Sequence, residues 1–527
     1  MQMVRVLTVA DWLLLAVYLG GLAVYGWVFK KFIKTKEDYF IAGRAAPFWL
    51  SGIALAAIAL DASDLMAPFA ISYGAGLWGL WWFMGCVLGS FLLAGYIVPA
   101  FFRKKVITNT TYLEYRFDPG IRLYAAWTQV IQRSVVMASA ITSISFLLEI
   151  VLGAPFWDAV LIAVVISTFM TIAGGRFAVM ASEVFAILFG VVMAWYLLSL
   201  GIGGIGWSKF VSDVVPWLHW VNFPKAYNPA YPNWVWFIGI TILTLPYSII
   251  NQEYLSKTLS ASSEYDARRG LMFPNILLWI LWCLPLSILG NISYFLYPPG
   301  SFTGPVDRSL FFIIRDLAPA GMIGLLVATF FAASQDIGGT AQSVASLITI
   351  DTYQRFIKKD ASEEELVKVG RILTAVIMIV PLVWIPLMLA MPVVAAVYGM
   401  VTGMAIVPTV IPYIVGPLGR FWSRRSAIAG CLVAAVFGFI FRMWGKDLGL
   451  PLLVYHPWTC GIPTIIIGLV VMVIWSIVEN SVKGPIPETE LEGLLITTPG
   501  VRAAMLQNAL ATRISKIGFL HTTGLVR

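Results

Sequence analysis

Charge is scarce in this chain: of its 527 residues only 12% are Asp, Glu, Lys or Arg, while 59% are hydrophobic and 14% aromatic. A water-soluble fold of that composition would expose apolar surface on every side, so the composition specifies an integral membrane protein in contact with lipid. Histidine is scarcer still. His219, His456 and His521 all fall outside the expected spans, which leaves no intramembrane pair to ligate haem or copper and argues against a redox role. The cysteines Cys86, Cys283, Cys431 and Cys460 lie in or beside apolar segments without CxxC spacing, as inert core residues do. A long polar insert is also lacking, so one membrane domain is expected and no room is left for a catalytic one. No nucleophile with a base, and no metal-ligand cluster, occurs at helical spacing, which argues against an enzyme.

What the chain does have is a series of apolar segments of about 20 residues each, about thirteen in all, from 9–28 to 462–478. The first is of full span length and is followed by KKFIKTK, so it is expected to stay as an anchor rather than be cleaved. Basic residues gather on alternate connections, such as Lys30 to Lys36, Arg103 to Lys105, Arg268 with Arg269, Arg355 to Lys359, and Arg420 to Arg425. By the positive-inside rule these connections are cytoplasmic, which predicts a multi-pass plasma-membrane protein with its N-terminus outside and its C-terminus inside. The formal charge of +8 is thereby topology, and nucleic acid is not an expected partner; nor is an obligate protein partner. Residues 203–231, rich in Trp, Tyr and Pro, read as an extracellular aromatic loop, and the segment after Glu479 as a short cytoplasmic tail with one surface helix. The sequon at Asn109 falls in an expected cytoplasmic loop and reads as chance.

Polar residues inside the spans are the functional signal, because a carboxylate in the hydrocarbon core costs about 2.5 to 3.5 kcal/mol and ordinarily lines a water-filled path or a binding site. The second span holds Asp61 and Asp64, then Pro68. A discontinuous helix is expected there, with carbonyls at Ala62 and Leu65 free to coordinate a cation. The fourth span carries Gln129, Gln132 and Arg133. The arginine stands about twelve residues, roughly 18 Å, in from the cytoplasmic end, to clamp a substrate carboxylate or to pair with Asp61, Asp64 or Asp336. In the ninth span Ala332, Gln335, Asp336, Gly339 and Ser343 share one helical face. Glu183, one turn inside the sixth span, reads as a solvated or helix-capping residue. In the seventh span Pro246 is expected to break the helix, leaving Asn251 and Gln252 as neutral ligands and echoing the second span as the two halves of an inverted repeat would.

In order along the chain, DYFIAGRAAPFWLSGIAL, TYLEYRF, IQRSVVMASAITS, GGRFAVMASEV, NQEYLSKTLSASSEYDARRG and SVASLITIDTYQRF resemble segments of the sodium/solute symporter family, from Asp38 to Arg355. The resemblance implies an all-α membrane fold with a leucine-transporter-like core of two inverted five-helix repeats. The division it suggests is an accessory helix and loop (1–45), a first repeat (46–202), the aromatic loop (203–231), a second repeat (232–417), accessory helices (418–479) and a tail (480–527). It also implies a sodium site built from carbonyls of Ala62, Leu65 and Ala332 and the side chains of Gln335 and Asp336. An acidic residue matches Asp64 in the proline-carrier branch, and an arginine like Arg133 occurs in a sialic-acid carrier. Gln335 and Asp336 stand where the family usually carries hydroxyls, and Gly338 and Gly339 remove the hydroxyls of a second sodium site, which is not expected here.

The expected function is therefore cation-coupled symport of a small polar organic solute by alternating access, with sodium as coupling ion and Asp64, Gln132, Arg133, Asn251 and Gln252 on the substrate side. The solute carries a carboxylate if Arg133 is unpaired, and a neutral sugar or polyol is equally expected if it pairs with an aspartate. The alternatives are a proton-coupled symporter using Asp336, or a passive facilitator or channel.

Overall fold

The computed structural model describes residues 8–9, 11–13, 16–17, 20, 35–58, 62–172, 175–218, 233–319, 321–333 and 335–495; at some helical positions, Ala332, Gln335 and Asp336 among them, only the backbone is described. Most of the expected first span, Asp61, the aromatic loop beyond Leu218 and the tail beyond Leu495 lie outside the described residues. Among the described residues the regular structure is helical, with a single isolated bridge between Ala46 and Ala261. Among the described residues eight helices are long and apolar enough to cross a bilayer, or nine if one bent pair counts as a span.

That bent pair is α1 (Phe48–Ile58) and α2 (Ala62–Ser72), which meet at 56°. The expected discontinuity is therefore present, but Pro68 lies inside α2 rather than at the break. With no N–H to offer, Pro68 leaves the Asp64 carbonyl without its donor four residues on. Next come α3 (Trp78–Arg103), α4 (Asn109–Arg116) and α5 (Pro119–Leu152). The start of α5 is set by Asp118, whose carboxylate accepts from Ile121 N–H at 2.9 Å, with Pro119 in the first turn; Gly153, at φ 73°, ends it. Helices α6 (Phe156–Ile172) and α7 (Gly175–Ile205) follow.

The seventh span breaks, though not where expected. Helix α8 (Asn233–Ile250) runs through Pro246 and stops at Asn251, whose extended backbone (φ −69°, ψ 114°) opens α9 (Gln252–Leu259). Membrane helices tolerate proline when neighbours satisfy the freed carbonyl, whereas Asn251 can end one helix and cap the next: its Oδ1 accepts from Glu253 N–H at 2.9 Å. The chain continues through α10 (Glu264–Leu296), α11 (Ser309–Leu317), α12 (Ile323–Ala333) and α13 (Gln335–Ser346), the last extended by a π-helical segment, Leu347–Ile357. Helices α14 (Glu363–Leu389), α15 (Ala395–Leu418), α16 (Ser426–Trp444) and α17 (Gly461–Lys483) follow.

Two glycines let neighbours press on the backbone of α2. A Cβ on Gly79 would lie 2.1 Å from the Pro68 carbonyl oxygen, and one on Gly290 would lie 2.2 Å from that of Phe69, so α3 and α10 clasp α2 at its middle. At one end of the bundle Glu114 joins Arg122 and Arg355, each at 2.6 Å, and Arg122 Nε reaches Asp351 at 2.6 Å. The tail also differs from expectation. Helix α17 runs past Glu479 to Lys483, and the chain then folds back with Leu491, Leu494 and Leu495 buried. Arg420 Nε donates to Ile486 O at 3.0 Å and Arg103 Nη1 to Gly493 O at 3.3 Å, so the described part of the tail docks on the basic ends of other spans.

Candidate solute and cation site

Beside the α1–α2 break lies a small, partly open cavity whose wall contains Asp64 from α2, Trp82 from α3, Ser139 from α5, Tyr247 from α8, Asp307 from the loop before α11, and Tyr398 from α15. Six separate stretches of chain converge here, and among the described residues none of the lining side chains is a cation. Asp64 Oδ1 accepts from Trp82 Nε1 at 3.4 Å, and Trp82 meets Tyr398 edge to face at 5.5 Å. Asp307, 1% exposed, accepts from Val394 N–H at 3.2 Å, just before α15 begins. Burial pushes the Asp307 carboxyl up to about 7, against the lowering effect of that N–H. Arg308 beside it is engaged elsewhere, by Glu149 at 3.0 Å.

Tyr247 joins three features. Its hydroxyl donates to the carbonyl of Ile58, the last residue of α1, at 2.8 Å; its ring walls the cavity; and the Arg133 guanidinium carbon lies 5.2 Å from the ring centroid. Arg133 itself is 1% exposed, donates through Nε to Gln132 Oε1 at 2.9 Å, and has a buried Nη2 without a partner. The expected alternative of an ion pair with Asp64 is not what the structure shows, and Asp61 and the Asp336 side chain lie outside the described residues. A buried guanidinium with an unpartnered Nη2 can donate to a carboxylate oxygen, and Tyr247 stands between it and the cavity.

The remaining expected substrate residues sit in different places. Gln132 Nε2 reaches Thr402 Oγ1 at 3.3 Å. Asn251 marks the α8–α9 break with its Nδ2 buried and unpartnered. Gln252 is absent from the cavity wall: its Oε1 accepts from Asn109 N–H at 2.9 Å and its Nε2 donates to Ile107 O at 3.0 Å, so it fastens the broken helix to α4. Ala62 and Leu65, of the expected cation site, are buried in the first turns of α2. The side chains at Ala332, Gln335 and Asp336 lie outside the described residues, which place these positions on either side of the α12–α13 junction.

One turn beyond Asp336, Thr340 of α13 donates to Glu253 Oε2. Lys257, one turn after Glu253, pairs with it at 3.3 Å and with Glu183 of α7 at 2.7 Å. Glu183 is thus 2% exposed and ion-paired, not the solvated or capping residue its position suggested, because Lys257 brings a counter-charge that no local reading of α7 could reveal. Sequence reasoning also missed Trp82, Asp307 and Tyr398. Two aromatics in aromatic-rich spans and a loop aspartate carry no local signal, while Tyr247 could have been noticed as the residue after Pro246.

A bundle of apolar helices in which spans break beside a cavity holding a few polar side chains is the construction of a membrane transporter. The particular family is equally plain: the chain belongs to the sodium:solute symporter family, whose sequence profile matches residues 39–438. The sodium/glucose cotransporter of Vibrio parahaemolyticus is 25% identical over 448 residues, covering 79% of this chain and 80% of that protein. The sodium/sialic acid symporter of Proteus mirabilis is 26% identical over 390 residues, 68% of this chain and 74% of the other. A solved structure of a Na+-coupled sialic acid symporter in a substrate-bound, outward-open state matches with a TM-score of 0.76 at 21% identity, over 89% of this chain and 98% of that one. The fold is therefore the leucine-transporter-like, all-α architecture.

Proposed function

We propose that this protein is a plasma-membrane symporter in which sodium moving down its gradient drives uptake of a small polar organic solute by alternating access, with the N-terminus outside. The observation that carries the reading is the cavity at the α1–α2 break, where Asp64 and Tyr247 place binding groups at a discontinuity between helices. Carbonyls of Ala62, Leu65 and Ala332 with Gln335 and Asp336 form the sodium site in this reading, all of them hard oxygen donors. The donor chemistry fits a monovalent cation, since α2 begins at the break and the α12–α13 junction supplies oxygen-bearing side chains by sequence. Sodium bound there favours the conformation that accepts solute, a differential affinity that couples the two fluxes.

Arg133 receives a carboxylate of the solute, a reading supported by its buried, partnerless Nη2. The deciding measurement is uptake into proteoliposomes of a panel of carboxylate-bearing and neutral solutes under an imposed sodium gradient. Concentrative, sodium-dependent uptake of a carboxylate, lost in Arg133→Gln, supports the assignment. Uptake driven by a proton gradient alone and abolished in Asp336→Asn would replace sodium by the proton, and uptake that never exceeds equilibrium would make the protein a facilitator.

A further inference from the structure

Three side-chain amides close a buried ring around the α8–α9 break: Asn109 of α4, Gln129 of α5 and Gln252 of α9, each at most 2% exposed. Asn109 Nδ2 donates to the carbonyl of Ile250, the last residue of α8, and the N–H of Gln252, the first of α9, donates to Gln129 Oε1 at 3.0 Å. Gln129 Nε2 donates to Asn109 Oδ1 at 3.3 Å, and Asn109 N–H donates to Gln252 Oε1 at 2.9 Å. We propose that Asn109 and Gln129 are positioning residues for transport, whose amides set the geometry of the α8–α9 break and, through Glu253, the placement of α13 at the sodium site. The inference rests on the reading of Gln335 and Asp336 as part of that site, and it adds two residues from outside it.

A break inside a membrane bundle frees a carbonyl on one side and an N–H on the other, and each is costly unless a partner reaches it. At the break itself, Asn251 Oδ1 is taken by the N–H of Glu253, so the partners for Ile250 and Gln252 come from α4 and α5. An amide suits both tasks, because it donates and accepts: Asn109 gives to the carbonyl, Gln129 takes from the N–H, and the two bond to each other. From the ring the path to α13 is short. One residue past Gln252, Glu253 accepts from Thr340, one turn beyond Asp336. A second link leaves from the residue before Asn109, where Thr108 Oγ1 donates at 2.8 Å to Asp351 Oδ1 on the π-helical extension of α13. The start of α4 therefore holds the break and α13 together, and a movement of one is passed to the other through hydrogen bonds shut away from water.

The test uses the full-length protein in detergent, with Asn109→Ala and Gln129→Met as variants and sodium chloride against potassium chloride as the probe. Arg442→Met, which loses a bond to the Tyr455 carbonyl far from the ring, serves as a destabilised control. Hydrogen exchange read by mass spectrometry comes first. Backbone amides over 250–256 and 335–346 are expected to exchange about threefold to tenfold faster in both variants than in the native protein or the control. Acceleration confined to the substituted helix, or no greater than in the control, overturns the proposal. Thermal stabilisation by sodium is read next, and the concentration giving half the effect is expected to rise about threefold to tenfold in the variants but not in the control. A lower melting midpoint with that concentration unchanged is what a merely structural tie would give, and it also overturns the proposal. If sodium has no effect on the native protein while exchange over 335–346 is accelerated in the variants, the sodium reading fails and the placement of α13 by the ring stands. Should Asn109→Ala fail to fold, Gln129→Met, closer in volume to the residue it replaces, carries both measurements.

Discussion

Lys257 holds its ammonium between Glu183 and Glu253 where all three side chains are at most 2% exposed. Such a buried charge is stable only while its counter-charges remain, and removing one member costs more than the pair contributes. Lys257→Met is therefore expected to destabilise the protein by about 3 to 5 kcal/mol, read as a lower thermal midpoint in detergent, with Glu183→Gln in the same chain recovering part of the loss. An unchanged midpoint would show that the carboxylates are compensated by other means. How such residues looked in the sequence depended on whether their partners were local. Asp64 and Arg133 announced themselves because a charge deep in an apolar run is anomalous by itself; Glu183 sat near a span end and passed as ordinary. Gln252 failed the other way, since an amide after a helix break looks like a ligand until its bonds to Asn109 and Ile107 are seen.

Helix α2 is the element on which the site turns, and its clasp is made of glycine. Because Gly79 and Gly290 face backbone carbonyls of α2 at 2.1 and 2.2 Å from a built Cβ, neither can become alanine without displacing the helix. Gly79→Ala and Gly290→Ala are each expected to cost about 1 to 3 kcal/mol of stability and to weaken solute binding. Retained affinity with a normal midpoint would mean that α2 shifts freely. The loop carrying Asp307 makes a pH prediction with a definite sign. Its carboxyl rises from 3.8 to about 7 on folding, so the native state keeps a proton that the unfolded chain has released. The stability it contributes is full below about pH 4, is lost as pH climbs to about 7, and changes no further above. Asp307→Asn should flatten that decline in a series of thermal melts. At this scale the two interruptions show what a sequence can and cannot locate. The α1–α2 break was legible from Asp and Ser competing for backbone bonds, whereas Pro68 and Pro246 both lie inside helices, because bilayer helices accommodate proline and Asn251 offers a better cap.

The whole molecule adds a docked tail and ion-paired ends to a bundle already implied by hydropathy. Truncation after Lys483 exposes the ground on which Leu491, Leu494 and Leu495 rest, and it is expected to lower stability by a few kcal/mol, about 1.5 to 3 per leucine less the entropy of ordering the segment. A truncated chain that melts with the full one would show the docking to be incidental. By itself the sequence determined the class of protein, its all-helical apolar character, a discontinuity in the second span, and that Asp64 and Arg133 are charges buried at a cost. It could do so because span length and the expense of an intramembrane charge are local properties of the chain. Only the tertiary structure decided that Asp307 and Tyr398 join Asp64 around one cavity, that Tyr247 stands between that cavity and Arg133, and that Lys257 neutralises Glu183. Those facts arise from contacts between residues tens to hundreds of positions apart, and helical periodicity carries no record of which face meets which neighbour.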